Sequence, residues 1–157
     1  QEPLWFVSHW WGTPFFDTLR MMKLHADRRN VSMDDCYWMC TFANNQHNLA
    51  ELAEPDIMMT PFAKAILCTS CIGTVALLDE GNASPFTRIW CILEDYITIH
   101  YGARKEKRQL MDFCTIIPKG ECERSDGSTN PRCAGILLDN GDDTSKDGGS
   151  DLAKSDG

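Results

Sequence analysis

The sequence predicts a three-layer α/β domain, a central parallel sheet with helices on both faces. Three observations carry this expectation. Short apolar runs alternate with longer helical patterns, the signature of βαβ units with right-handed crossovers. The strand-like runs are continuously apolar, as strands covered on both faces are. At 157 residues, 43% of them apolar and with five Trp, seven Phe and seven Met, the chain is one domain's worth and has enough apolar bulk for a core.

The elements follow in order. Residues 4–8 form a first strand, ended by Trp11-Gly12-Thr13-Pro14. A helix is expected over Phe15–Arg29, where Phe16, Leu19, Met22 and Ala26 recur with helical period; Pro14 suits its entry and Asn30 its exit. Residues 37–42 read as the second strand, leading into the polar loop 43–47. A short helix over 48–54 precedes Pro55, and Thr60-Pro61 opens another that runs to about Cys68. Residues 72–78 form the third strand and 79–85 a polar turn, followed by one helix over 84–101 that Gly102 stops. Residues 113–117 give a fourth strand bounded by Pro118, and 134–138 a weaker fifth. From Glu121 onward Ser, Asp, Gly, Asn and Lys dominate. The domain is therefore expected over 1–120, with 121–157 an acidic, largely disordered tail or linker. There is no internal repeat.

Charge and composition exclude several classes. A net charge of −8 argues against nucleic acid, whose phosphates need clustered Lys and Arg. The one basic run, Arg104-Lys105-Glu106-Lys107-Arg108, reads as a solvated helix end. No apolar run approaches the roughly 18 residues of a membrane span. Residues 1–7 lack the basic start and cleavage site of a signal peptide, so a cytoplasmic location is expected. The start at Gln1 reads as an excerpt or a processed product. Of the eight cysteines, Cys36, Cys40, Cys68, Cys71 and Cys91 lie in apolar segments and read as reduced core thiols. Cys68 and Cys71 form a C-x-x-C that ends a helical stretch, where no helix N-terminus lowers a thiol pKa. Cys36 and Cys40 supply no matching pair for zinc, so no metal is expected.

In a parallel sheet the loops after the strands gather on one edge, where ligands bind. That edge collects Ser8, His9, Trp10 and Trp11 from the first strand, and Asn44, Asn45, Gln46 and His47 from the second. Asp79 to Asn82 follow the third strand, and the helix behind them carries Trp90 and Glu94. Glu94 follows Trp90 by about 40° of helical rotation, so the two share a face. Aromatic rings stack on a planar base, amides read its edge, and a carboxylate acts on a sugar. The set suits a nucleotide better than a metal. Each member also has a plainer role: Trp10 or Trp11 as a roof over the core, His9 and His47 as loop residues, and Asn44-Asn45 as turn formers. Glu94 would then be a surface group paired with Arg88.

Trp90-Cys91-Ile92-Leu93-Glu94, after an apolar strand and a Ser-containing turn, resembles the W-C-x-x-E segment of Toll/interleukin-1 receptor-like (TIR) domains. Phe6-Val7-Ser8-His9 is similar to that family's first strand, and the resemblance covers about residues 4–118. The Trp10-Trp11 pair and the 38–46 region also resemble TIR-like proteins of protists that share a SHWWG…ANNQ pattern. The resemblance implies a flavodoxin-like fold and cleavage of NAD at the nicotinamide–ribose bond, with NAD a substrate and no cofactor. Glu94 would be catalytic, and Ser8, His9, Trp10, Trp11, Asn44, Asn45 and Trp90 would bind substrate. It also implies self-association or pairing with other TIR-like domains. The same motif occurs in TIR domains that act only as adaptors, and a nucleotide sensor without turnover is a further alternative. Two features depart from the family pattern: Trp10-Trp11 replace the usual polar residues after the first strand, and the second strand and its following loop lack D-x-x-x-x-x-G.

Overall fold

A computed structural model describes residues 1–45, 47, 54–102, 108–118 and 133–141, and the backbone of 152–154. It is a small mixed α/β domain whose sheet is flanked by helices. Six strands, β1 (Trp5–His9), β2 (Tyr37–Met39), β3 (Gly73–Leu78), β4 (Leu110–Ile117), β5 (Cys133–Leu137) and β6 (Leu152–Lys154), lie in the order β2-β1-β3-β4-β5-β6. The first four run parallel to one another, with Ser8 level with Ala76 and His9 with Leu77. β5 runs antiparallel to β4 and β6 antiparallel to β5. The expectation of a wholly parallel sheet is thus corrected. A parallel fifth strand needs a crossover, usually a helix, and the sequence between Pro118 and Cys133 has no apolar helical period to supply one.

The sheet is covered on both faces. Helix α1 (Phe15–Arg29) packs Met21 and Leu24 on Val7, Val75, Leu77, Cys114 and Ile136. On the other face Phe6 meets Ala63 and Ile66 of α3 (Pro61–Ile66) and Ile97, just past α4 (Ile89–Tyr96). Cys133, Ala134 and Ile136 of β5 are buried, so residue 120, the expected end of the domain, falls between two strands of one sheet. Residues 121–132, 142–151 and 155–157 of the expected tail lie outside the described residues, as do 48–53 of the helix expected over 48–54.

Several local expectations are redrawn. α1 has the expected bounds, and Asn30 ends it in the left-handed region at φ 51°, its N–H bonded to Ala26 O. Its buried stripe is Asp17, Thr18, Met21, Leu24 and His25, while Phe16 is 74% exposed. Counting apolar residues misplaces the stripe because His25 is buried with both ring nitrogens satisfied. The second strand stops at Met39, and Cys40–Ala43 turn into the short helix α2. The single helix expected over 84–101 is a 3₁₀ turn (Ser84–Thr87), α4, and a π turn (Ile97–Tyr101). At the start of β3 a Cβ on Gly73 would come within 2.5 Å of Leu110 O and 2.7 Å of the Trp5 ring, so no larger residue fits.

A buried polar network fastens the edge where the parallel strands begin. Arg29 grips Asp112 of β4 with two hydrogen bonds, 2.8 and 2.6 Å long, and donates to Asp139 O. His25 lies 3.0 Å from Asp112 and 2.7 Å from the Tyr37 hydroxyl. Asp139 N–H also donates to Asp112, and Arg108 pairs with the Asp139 carboxylate.

Candidate functional site

The opposite edge, where the parallel strands end, holds the sequence-selected residues in two compartments. β1 divides them, because successive side chains on a strand point to opposite faces. Ser8 faces α4 and His9 faces α1.

On the α4 side, Ser8 Oγ donates a 2.6 Å hydrogen bond to Glu94 Oε2. Glu94 is only 5% exposed. Burial pushes its carboxyl up to about 8; the Ser8 bond works against this and the charge of Asp95 adds to it. The group is therefore neutral at pH 7. Its expected alternative partner, Arg88, is not the one it takes. Cys91 and Cys40 close the compartment. Burial, then the Glu94 charge, pushes the Cys91 thiol up to about 11, and Cys91 Sγ–H reaches His9 O at 3.6 Å. Burial also raises the Cys40 thiol, opposed by a hydrogen bond from Trp11, with Glu94 adding to the rise. Asp95 is buried too, its Oδ1 unpartnered among the described residues, and burial pushes its carboxyl to about 7.

On the α1 side is a cavity of about 210 Å³ walled by His9, Trp10, Trp11, Thr13, Phe15, Thr18, Met39, Thr41 and Phe42. Glu94 is not among its walls. His9 Nε2 lies 3.0 Å from Thr41 Oγ1, and burial lowers its pKa more than the nearby Val7 carbonyl raises it, so the ring is neutral at pH 7. His9 Nδ1 and Thr13 Oγ1 are buried without hydrogen-bond partners among the described residues, at a cost of about 1–3 kcal/mol each. Trp11 links the compartments over the end of the strand: its ring is on the cavity wall, and Nε1 donates to Cys40 Sγ at 3.2 Å.

The remaining candidates are elsewhere. Trp90 is 45% exposed and stacks on Phe62 with centroids 5.7 Å apart, so it does not share the buried face of Glu94. Asn44 caps α2 through its N–H to Cys40 O, and Asn45 Oδ1 accepts from the exposed His47 N–H, which is turn chemistry. Asp79 accepts from the Ser84 hydroxyl at 2.9 Å and holds the 3₁₀ turn. Of the residues expected around Glu94, Ser8 touches it; His9, Trp10 and Trp11 gather in the cavity. Sequence reading missed Asp95, Thr13, Thr18 and Thr41. Strand alternation was the available signal that Ser8 and His9 part company.

No family model, curated protein or solved structure matches the chain. Among the described residues there is no cluster of His, Cys, Asp and Glu suited to a metal, and no helix long and apolar enough to cross a membrane. The five cysteines expected to be reduced are in no disulfide, whereas Cys133 is disulfide-bonded.

Proposed function

We propose that this is a TIR-like, flavodoxin-related signalling domain that cleaves NAD at the nicotinamide–ribose bond through Glu94. The observation that carries the reading is the buried Glu94 carboxyl, held by Ser8 at the C-terminal edge of the parallel strands. The strand order β2-β1-β3-β4 is in keeping with it. In the reaction the carbon–nitrogen bond breaks and its electron pair passes to the pyridinium nitrogen, releasing neutral nicotinamide. The ribose carbon becomes oxocarbenium-like, water adds to it, and one proton leaves to solvent. A carboxylate beside that carbon stabilises the developing positive charge. Glu94 must be ionised and uncovered to do so. Approach of the cationic pyridinium ring favours ionisation, and the Ser8 hydroxyl orients the carboxylate.

Incubating concentrated protein with NAD and measuring nicotinamide tests this. Release should rise with pH through about 8, where Glu94 ionises, and Glu94→Gln should abolish it. No release from the unaltered protein, or undiminished release from the variant, overturns the reading.

A second reading, a non-enzymatic interaction domain, draws on the outer face of α4 and the π turn. Ile89, Ile92, Tyr96 and Ile99 are 79, 48, 50 and 60% exposed at helical spacing. Contiguous exposed apolar surface of this kind marks association. Concentration-dependent assembly with NAD left intact would favour it, and a rise in melting temperature with NAD but no turnover would indicate a sensor.

A further inference from the structure

The C-x-x-C of Cys68 and Cys71 lies at the edge where the parallel strands begin, opposite Glu94. α3 ends at Ile66 and β3 begins at Gly73, and the pair brackets the turn between them. Cys71 N–H donates to Cys68 O at 3.1 Å, closing a turn whose end Cα atoms lie within about 7 Å. A disulfide needs Cα atoms roughly 4.4–6.8 Å apart. Both side chains pack on one apolar cluster with Phe6, Ala63 and Ile66, so they leave the turn toward the same side. The two are not disulfide-bonded. Cys68 Sγ lies 3.2 Å from Ser70 Oγ, and Cys71 Sγ–H reaches Gly73 O at 3.5 Å. Hydrogen bonds of thiols are weak, so these do little to hold the sulfurs apart.

Exposure divides the roles. Cys68 is half-buried and open to a dissolved reagent, whereas Cys71 is 2% exposed. Other described cysteines lack this combination. Cys36 is also half-buried, but the extended strand β2 separates it from Cys40. At about 3.3 Å per residue the two are roughly 10 Å or more apart, too far for a bond. Cys40, Cys91 and Cys114 are buried and closed to a first attack.

We infer that Cys68 and Cys71 are a reversible redox site, oxidised to an internal disulfide by a small disulfide of the glutathione type. Cys68, as thiolate, attacks one sulfur of glutathione disulfide; a mixed disulfide forms and one glutathione thiolate leaves. Cys71, as thiolate, then attacks Cys68 Sγ, and the second glutathione leaves as the internal bond forms. The two thiol protons end on the two glutathiones. The protein has lost two electrons and glutathione disulfide has gained them. The second step is internal, so Cys71 needs no exposure. A turn that follows a helix lacks the activation of an exchange catalyst, so the pair is a target of exchange. Closing so short a loop gains little chain entropy, so excess reduced thiol opens it again. Ser70 Oγ donates to Pro3 O, Ile72 N–H to Leu4 O and Gln109 Nε2 to Cys71 O. The state of the pair is therefore felt where β1, β3 and β4 begin, whether or not Glu94 is catalytic.

The test holds the folded full chain in excess glutathione disulfide, traps thiols with N-ethylmaleimide in denaturant and digests with trypsin. Both cysteines fall in one peptide, 65–88, which has no other cysteine. That peptide should take up no maleimide, carry no glutathione and weigh two hydrogens less. Excess reduced glutathione should restore both thiols. Cys71→Ser should keep glutathione on Cys68, and Cys68→Ser should leave Cys71 unmodified. Both thiols still alkylated in the unaltered protein, a persistent glutathione on Cys68, or a bond from either cysteine to another would overturn the inference. So would a glutathione-free Cys68 in a folded Cys71→Ser. If the variants do not fold, peptide 65–88 of the unaltered protein decides alone.

Discussion

Glu94 is a carboxyl kept neutral by its surroundings, and this makes a stability prediction with a definite sign. Its folded pKa, about 8, lies above the ordinary 4.5. The unfolded chain therefore gives up this proton first as pH rises. The contribution is fully present below about 4.5 and is lost progressively as pH rises to about 8. Glu94→Gln keeps an acceptor for Ser8 and has no proton to lose. Thermal melts from pH 4.5 to 8.5 should show the variant gaining on the unaltered protein with rising pH, by about 2–4 kcal/mol at the alkaline end. A gap that stays constant with pH would mean that Glu94 ionises normally. Ser8→Ala acts in the opposite sense on the carboxyl. It removes the one hydrogen bond that favours the charged form, so any Glu94-dependent activity should need a higher pH.

At the scale of elements, the π turn after α4 governs how the Glu94 helix sits on the sheet. Thr98 donates to Glu94 O at 2.9 Å, and its hydroxyl lies 2.6 Å from that of Thr74 on β3. Thr98→Val keeps the volume and leaves the Thr74 hydroxyl buried without that partner. The expected loss is about 1–3 kcal/mol, read from urea unfolding. Thr60 is a smaller case: its side chain accepts from Ala63 N–H at the start of α3, and Thr60→Ala should cost about 1 kcal/mol. The sequence made α1, α3, β1 and β3 legible because each joins an apolar run or a helical pattern to a boundary residue such as Asn30 or Thr60, although the period read on α1 marked the wrong stripe and the Glu94 helix is three successive turns. Three features escaped it. The early end of β2 is a switch to helix inside an apolar run, where composition does not change. The reversal of β5 depends on which edge the chain returns to, which no local pattern encodes. The division of the strand-end residues is set by the pleat, so listing loops by proximity merges what alternation separates.

Across the whole molecule, Asp112 ties three distant segments together: the end of α1, β4 and the stretch after β5. Arg29 and His25 lie 83 and 87 residues away in sequence. Tyr37, His25 and Asp112 line up like a catalytic relay, yet burial foremost raises the Tyr37 hydroxyl pKa, which unsuits it as a nucleophile. The relay is structural. Arg29, His25 and the Asp139 N–H hold the Asp112 carboxyl below its ordinary 3.8 despite burial. Its contribution is present above that value and lost as pH falls through the lower folded pKa. Asp112→Ala should destabilise by about 3–5 kcal/mol, because it strands Arg29 and His25, and acid unfolding should steepen below pH 4 in the unaltered protein only. Far from this anchor, the parting of Ser8 from His9 has a practical consequence for protein engineering. Two neighbouring residues address two compartments, so a library varied at Thr13, Thr18 and Thr41 can retune the cavity while the carboxyl side stays as it is. The pleat acts as insulation between two independently evolvable chambers, and a single-residue deletion ahead of Ser8 is the mutation that would cross their wiring.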